Sequence, residues 1–299
     1  MRDTTSPVDC SRTDCLIFNR DYQDILKYAG ANSFDLIWRY HGGETIKNIR
    51  ARSVIRIEIQ YRGEKKRFYL KRHNRECVVF RRLLAFFYPK LALSQGLREF
   101  GNICDFRKYN LPTVAPVAAG EKFSRFFHVR SFLITEDFSP FISLEDLLRD
   151  RPQFLTGKDG VARKKILIEK VALLARRMHQ EGFNHRDFNA THILLHYGNG
   201  SDIPKTALFD LQRVDRRRFL KFRWMIKSLS ELNYTLPDGL FEAEDRIYLF
   251  QAYKGKSRLR CWDRLQWFWI TRKTIRIRKH TEKMMMRREE KKRRGLPER

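Results

Sequence analysis

One segment in the first half of the chain alternates apolar and polar residues with the period of a β-strand. In residues 54–61, every second residue from Ile55 to Ile59 is isoleucine, and the residues between them are charged or polar. A period of two is typical of a half-buried antiparallel strand. Two further runs, 45–49 and 67–71, are rich in β-branched and aromatic residues and are joined to it by the turn-like segments RARS and RGEK. The sequence therefore predicts a three-stranded antiparallel meander.

After the meander the sequence predicts one helix and two more strands, and from about residue 136 it is mainly helical. Residues 75–110 are predicted to be helical, and two more strands are predicted at 114–119 and 131–135. Ser143 followed by Asp146 indicates a helix start. A longer helix is predicted at about residues 161–181, ending at Gly182 as a C-cap.

These elements predict an α+β fold with two lobes. A β-rich N-lobe is assigned to residues 41–135 and an α-rich C-lobe to residues 136–270. The first thirty residues have no clear period, and residues 1–40 are predicted to be a lead-in. The last segment, 271–299, carries 13 Lys and Arg against 4 acidic residues and is predicted to be a basic tail, either solvated or used for binding.

The charge of the chain restricts its partners. A net charge of +27 and a pI near 10.2 predict a polyanionic partner, which could be nucleic acid, an anionic membrane or a phosphorylated glycolipid. No apolar stretch is long enough to span a bilayer, and the N-terminus has no apolar core of a secretory signal. The five cysteines include no CxxC pair, which argues against a metal or disulfide framework. A cytoplasmic protein is predicted.

The segment NHRDFNATHILL, residues 184–195, is the centre of the functional prediction. It follows the helix end at Gly182 and precedes an apolar run, so Asp187 should lie on a turn before a short strand. An Asp in that position can accept a proton from an attacking hydroxyl. The tripeptide His-Arg-Asp alone would be a weak signal.

Three other charged residues strengthen the prediction. Lys71 lies at the end of the third strand, where a nucleotide-phosphate lysine is expected, and Glu99 on the following helix could pair with it. Asp210, in TALFDLQRV, follows an apolar strand and could hold magnesium. Each of the four could instead be a surface charge, a turn cap or a helix N-cap. Their occurrence together, in this order, favours a kinase-like site.

Several motifs together resemble the Kdo/WaaP family of lipopolysaccharide kinases over roughly residues 42–255. They are FYLKRH, LREFGNI, LPTVAPVAAGE, SFLITEDF, SLEDLL, RRMHQEGFNHRDFNATHILL, LFDLQRV and FQAYKG. The resemblance implies a protein-kinase-like fold that uses ATP and Mg²⁺. It also implies a heptose or Kdo sugar of the lipopolysaccharide inner core as the phosphate acceptor.

The resemblance implies roles for the nucleotide-binding residues. Lys71 would hold the α- and β-phosphates, Glu99 would position Lys71, and Asp210 would bind Mg²⁺. Ser53 and Glu136 complete the predicted nucleotide contacts. The turn before Ser53 contains no glycine, so phosphate binding there must depend on basic side chains or on Ser53.

The resemblance also implies roles in the catalytic loop. Asp187 would deprotonate the sugar hydroxyl and Arg186 would steady the loop. Protein kinases carry a metal-binding Asn at the position of His192. The lipopolysaccharide kinases resemble this chain in having His there. His192 could ligate the metal or hold Asp187 and Asp210 by hydrogen bonds, and the oxygen preference of Mg²⁺ favours the second role. Ser228 stands where related sequences carry an Asp that buttresses this loop.

The implied partners are ATP and an anionic glycolipid such as lipopolysaccharide core, at the inner face of the cytoplasmic membrane. Two other functions stay open. The glycine-free turn and Ser228 would suit a pseudokinase or an interaction scaffold. A nucleic-acid-binding protein is less favoured, although the aromatic cluster Trp262, Trp267, Phe268 and Trp269 could serve one. That cluster fits a packed helix or a membrane-interface anchor better.

Overall fold

The structure is a computed structural model that describes residues 8–13, 15–77, 93–123, 128–198, 201–216 and 221–294. The chain divides into two compact units. The first contains Met1–Ser139 and Ala207–Val214, and the second contains Pro140–Thr206 and Asp215–Arg299. The division after Ser139 lies four residues beyond the boundary predicted from the sequence, and a short segment returns to the first unit.

The first unit is built on a seven-stranded sheet with the order β1-β2-β6-β7-β5-β4-β3, in which every paired neighbour is antiparallel. The strands are β1 Cys10–Arg12, β2 Leu16–Asn19, β3 Glu44–Ile49, β4 Arg52–Tyr61, β5 Glu64–Cys77, β6 Pro116–Phe123 and β7 His128–Glu136. The described helices of this unit are α1 Gln23–Tyr28, α2 Phe34–Arg39 and α3 Gln95–Lys108. The predicted meander is thus the β3–β4–β5 part of a larger sheet.

One face of this sheet carries the core of the first unit. Ile55 and Ile57 of β4 are buried on this face, as their alternation predicts, and Leu70 of β5 pairs directly with Ile55. They pack in one cluster with apolar residues of α1 and α2, including Ile25 and Ile37. Because successive strand residues point to opposite faces, the residues next to them in sequence point to the other face.

The N-terminal segment, predicted as a lead-in, forms part of this unit. Strand β2 pairs with β6, so that Phe18 lies opposite Ala118, and Tyr22 and Phe34 are buried in the same cluster. The sequence of this segment shows no period, because its strands have only three or four residues and are too short to reveal one.

The helix predicted at residues 75–110 is wrong at its start, because residues up to Cys77 belong to strand β5. Residues 78–92 lie outside the described residues. The described helix α3 begins at Gln95 and passes close to strand β7, so that a Cβ on Gly96 would overlap the main-chain carbonyl of Phe132. Gly96 is therefore required for this close approach, whereas Gly101 on the same helix has open space around it.

We expect Gly96→Ala to destabilise the protein by about 1–3 kcal/mol, because the added methyl group must push α3 away from β7. Gly101→Ala is the matched control and should stabilise by up to about 1 kcal/mol through helix propensity. Urea denaturation of both variants measures the difference. Equal stability of the two variants would contradict the close packing of α3.

The second unit is mainly helical. Its helices are α4 Leu144–Asp150, α5 Gly157–Gln180, α6 Lys221–Thr235, α7 Ala243–Lys254 and α8 Cys261–Arg293. Its short strands are β8 Ile142–Ser143, β9 Phe183–His185, β10 Ile193–His196 and β12 Val214–Arg216, and β11 Lys205–Leu208 leads back into the first unit. The Ser143 side chain caps α4 by accepting a hydrogen bond from Asp146 N at 3.0 Å, and Gly182 ends α5 with φ of 78°. Both helix-boundary predictions are confirmed.

The basic tail continues a helix of the second unit. Helix α8 runs without a break from Cys261 to Arg293, and its first half packs against α6. Thr274 is buried there, accepting a hydrogen bond from Asn233 Nδ2 at 3.2 Å and donating one to the Ser230 carbonyl at 3.3 Å. Arg278 still forms an ion pair with Asp238 at 2.9 Å. Residue 271 is therefore not a structural boundary.

In the part of the chain that the structure describes, no helix combines the length and the apolar character needed to cross a bilayer.

Candidate active site

Strand β5 directs Lys71 to the face of the sheet opposite the α1–α2 core, because Lys71 follows the buried Leu70. The Lys71 ammonium donates a hydrogen bond to Glu99 Oε1 at 2.7 Å. The side chains of Lys71 and Glu99 are 11% and 1% exposed, so the ion pair is buried. Burial raises the pKa of Glu99, and the charge of Lys71 opposes this shift. The structure thus brings together the lysine and the glutamate that the sequence analysis paired.

Asp210 lies on the same side as this pair. It follows β11 and has left-handed backbone angles, with φ of 55° and ψ of 56°, a conformation that costs energy for a residue other than glycine. Its Oδ1 accepts a hydrogen bond from Lys71 at 3.4 Å. Asp210 occupies the N-cap position of a short 3-10 helix, but its side chain makes no capping hydrogen bond there. The carboxylate therefore serves the cluster around Lys71 and not the helix.

Arg52, the first residue of β4, also reaches the site; the sequence alone had indicated only the basic side chains near this turn as a group. Arg52 pairs in register with His73, two residues beyond Lys71, so both side chains lie on the Lys71 face. The Arg52 guanidinium lies 3.7 Å from Asp210 Oδ2. Burial, helped by the charges of Arg52 and Lys71, lowers the pKa of His73 to about 4. Only the strand register could have shown that Arg52 reaches the site.

Two residues predicted to contact nucleotide have side chains on the other face. Ser53 pairs with Arg72, whose guanidinium donates to the Ile37 carbonyl in the α2 region at 3.2 Å. Glu136 pairs with Phe68 of the core and accepts a hydrogen bond from the Tyr22 hydroxyl at 2.8 Å. Any contact of Ser53 or Glu136 to a nucleotide beside Lys71 would have to come from the main chain.

Aromatic residues adjoin Lys71 on its own side of the sheet. Tyr69, two residues before Lys71 and hence on the same face, stacks on Phe138 with ring centroids 5.3 Å apart. Phe138 in turn contacts Phe209, next to Asp210, at 5.4 Å. The sequence analysis did not identify this aromatic cluster; the period-two spacing could have placed Tyr69 on the Lys71 face, but not Phe138 or Phe209 beside it.

The second unit holds the loop with Arg186 and Asp187. The loop is a turn between β9 and a short 3-10 helix before β10, as predicted. The main-chain N–H of Asp187 donates to His185 Nδ1 at 3.2 Å, so this nitrogen of the buried His185 is the acceptor. Arg186 donates two hydrogen bonds to Asp215 Oδ2, from Nε at 3.1 Å and from Nη2 at 2.7 Å. A doubly hydrogen-bonded guanidinium fixes the loop in one orientation.

His192 and Ser228 also support this loop. His192 Nδ1 donates a hydrogen bond to the Asp187 carbonyl oxygen at 2.8 Å, and the His192 ring stacks on His185. The buried Ser228 hydroxyl lies 3.2 Å from Asn184 Oδ1 and 3.4 Å from the His185 carbonyl. His192 therefore holds the main chain of Asp187, and Ser228 buttresses the loop although it carries no charge.

The Asp210 carboxylate near Lys71 suits a metal site that is completed by nucleotide phosphates and water. Within the described residues, no group of three or more His, Cys, Asp or Glu could hold a metal alone. Asp210 supplies one carboxylate, with its two oxygens facing two cations. Magnesium in nucleotide sites is typically held by one or two carboxylates, with phosphates and water as the other ligands. The chemistry of Asp210 fits that mode of binding.

Comparison with known proteins identifies the family of the chain. The model of the lipopolysaccharide kinase (Kdo/WaaP) family matches residues 38–253. The lipopolysaccharide core heptose(I) kinase WaaP of Escherichia coli is 33% identical over 197 residues, which are 64% of this chain and 71% of that protein. The protein of the same name from Escherichia coli strain K12 is 31% identical over 217 residues, covering 71% and 78% of the two chains. The one from Pseudomonas aeruginosa is 28% identical over 215 residues, covering 71% and 76%.

A solved structure supports the fold. A chain described as WaaP in complex with acyl carrier protein superposes with a TM-score of 0.65 at 22% sequence identity, covering 87% of this chain and 98% of that chain. The predicted α+β, protein-kinase-like fold class is therefore confirmed.

Proposed function

This chain belongs to the lipopolysaccharide kinase (Kdo/WaaP) family, and we propose that it transfers the γ-phosphate of ATP to a heptose hydroxyl of the lipopolysaccharide inner core. The family makes the chain a phosphotransferase that acts on a sugar hydroxyl. The choice of ATP, of magnesium and of a heptose acceptor is our inference. The observation that carries it is the cluster in which Lys71 contacts both the buried Glu99 and the partly exposed Asp210.

The first unit would bind the nucleotide. Lys71, held by Glu99, presents a fixed ammonium group to the α- and β-phosphates, as an ion-paired lysine does in kinases. The aromatic residues Tyr69 and Phe138 offer flat apolar surface for the adenine. Phosphoryl transfer needs mainly positioning and charge neutralisation, and a rigid buried pair supplies both.

Asp210 would hold magnesium. When bound, the metal would neutralise charge on the β- and γ-phosphates. The left-handed conformation of Asp210 directs its carboxylate towards Lys71, into the cluster where the phosphates would lie.

The second unit would activate the acceptor. Asp187 accepts the proton of the sugar hydroxyl as the oxygen attacks the γ-phosphate, so the new O–P bond forms while the bond to ADP breaks. Arg186, Asp215 and His192 keep the loop in position through the hydrogen bonds described above. Their contribution is to the orientation of Asp187.

The direct test is mass spectrometry of lipopolysaccharide core from cells that contain or lack this protein. We expect the core to lose the mass of one phosphate, about 80 Da, when the gene is deleted, and the phosphate to return on complementation. A core with unchanged phosphate content would overturn the proposal. Purified protein with ATP and dephosphorylated core separates this enzyme from a scaffold, because a scaffold transfers nothing.

We propose that the enzyme works on the inner face of the cytoplasmic membrane and reaches it through α8. Trp262, Phe268, Trp269 and Ile275 are each at least 46% exposed on this helix. Arginines 264, 272 and 276 are exposed among them. Trp267, expected to anchor as well, instead stacks on Phe250 in the second unit. Exposed aromatic residues among cations suit an anionic leaflet, where each basic residue adds about 1 kcal/mol of attraction.

Vesicle binding tests this membrane proposal. Because residues up to Arg278 contribute to packing, the chain should be cut after Lys279, which removes eight Lys and Arg residues and four acidic residues. We expect weaker binding to anionic vesicles, further weakened by raised salt, and a larger loss on changing Phe268 and Trp269 to serine. Ile203→Ser, an exposed apolar change elsewhere in the second unit, is the control. Vesicle binding that is unchanged by salt, by the truncation and by the serine substitutions at Phe268 and Trp269 would contradict the proposal.

A further inference from the structure

The turn between β3 and β4, Arg50 and Ala51, contains no glycine, so it lacks the close approach to phosphate that a glycine-rich loop gives. Such a loop offers free main-chain N–H groups at close approach. Here β4 is paired on both edges, since Arg52 lies opposite Ile49 of β3 and His73 of β5. The carbonyl groups of the turn are also held, because Asn74 donates its main-chain N–H to the Ala51 carbonyl at 3.0 Å and its side-chain amide to the Arg50 carbonyl at 3.1 Å.

A side chain must then supply what the main chain does not, and Arg52 is placed to do so. Its register puts it on the face of Lys71, because Arg52 precedes Val54 by two residues and Val54 pairs with Lys71. Its side chain is 24% exposed, and its Nε is buried with no hydrogen-bond partner among the described residues. A buried donor without an acceptor is costly, and a ligand that accepted from it would remove the cost.

The present partner of Arg52 is a weak one. Its guanidinium is 3.7 Å from Asp210, longer than a hydrogen bond, while Lys71 contacts the other oxygen of the same carboxylate. If Asp210 turns to a magnesium ion, Lys71 keeps Glu99 as its partner, but Arg52 needs a new anion. The phosphates of the nucleotide are the anions that arrive with the metal, and a guanidinium can hold phosphate oxygens through two parallel hydrogen bonds.

We propose that Arg52 binds the terminal phosphates of the nucleotide and replaces the main-chain amides of a glycine-rich loop. The inference rests on the proposed function and adds a nucleotide-binding residue to it. It assigns Arg52 to the β- and γ-phosphates, so its effect should depend on whether the nucleotide carries them.

Calorimetric titration with ATP and with AMP, in the presence of magnesium, tests this assignment. We expect Arg52→Gln to weaken ATP binding about 10- to 100-fold, the effect of losing hydrogen bonds to a charged group, and to leave AMP affinity within about twofold. Arg52→Lys should be intermediate, because it keeps the charge but loses the paired geometry. Arg62→Gln removes the same charge from the turn at the opposite end of β4 and should bind both nucleotides like the wild type.

Two results for Arg52→Gln would overturn the assignment. Arg52→Gln could bind ATP as well as the wild type, or more tightly, which would mean that Arg52 only competes with the metal for Asp210. Its affinities for ATP and for AMP could also fall by the same factor, which would mean that the substitution disturbs the whole site and not the contact with the terminal phosphates. If Arg52→Gln does not fold, the ratio of ATP to AMP affinity in Arg52→Lys decides. Wild-type protein that binds ATP but phosphorylates no core sugar overturns the proposed function alone, whereas failure to bind ATP overturns both.

Discussion

Replacing Asp187 by asparagine should lower turnover about 10²–10⁴-fold, the usual effect of removing a general base. The affinity for ATP should change little, because the predicted nucleotide-binding residues belong to the first unit. The substitution keeps the shape of the side chain, and the main-chain hydrogen bonds that Asp187 makes with His185 and His192 do not involve the carboxylate. Phosphate transfer to isolated core and ATP binding should be measured on the same preparation.

Asp202→Asn is the control for this experiment. Asp202 is a 60% exposed carboxylate of the second unit that pairs with Arg163, so its loss removes the same charge without touching the loop. It should keep wild-type turnover. Full activity of Asp187→Asn would show that the base assignment is wrong, and a loss of ATP binding would show that the loop does more than activate the acceptor.

Lys71→Ala should lower turnover about 10²–10³-fold, as expected for removing a group that stabilises charge in the transition state. Glu99→Gln should have a milder effect, about 10- to 10²-fold, because Glu99 acts only by positioning the lysine. The double variant should be no worse than Lys71→Ala within about threefold, since the two residues make one interaction. Additive losses would mean that the ion pair seen at 2.7 Å has no role in turnover.

Stability offers an independent test of the same pair. Lys71→Ala leaves the Glu99 carboxylate buried without its cation, which is strongly destabilising, whereas Lys71→Ala combined with Glu99→Gln removes both charges. We expect the double variant to unfold at a higher urea concentration than Lys71→Ala. Lys65→Ala on the same strand is the control, because Lys65 is 60% exposed and its ion pair with Glu58 should contribute little.

Local patterns in the sequence were sufficient for much of this protein. The alternation in β4, the Ser143 cap and the helix end at Gly182 depend on residues close together in the chain, so their structure follows from local preferences. The segment around Asp187 was recognisable because its neighbours form a turn between apolar elements. The order of Lys71, Glu99 and Asp210 along the chain then indicated a kinase-like arrangement, and its motifs indicated the family.

Contacts between distant residues decided the rest. Which face of a strand a side chain occupies depends on the register with partners far along the chain, and a shift of one residue reverses it. Register is why Arg52 lies opposite His73 and reaches Asp210, a pairing across the sheet that the alternation within β4 could not show. For the same reason only the tertiary structure showed that the N-terminal segment completes the sheet and that α8 continues through residue 271, because burial against β6 and α6 stabilises elements whose own sequences carry too little periodic signal.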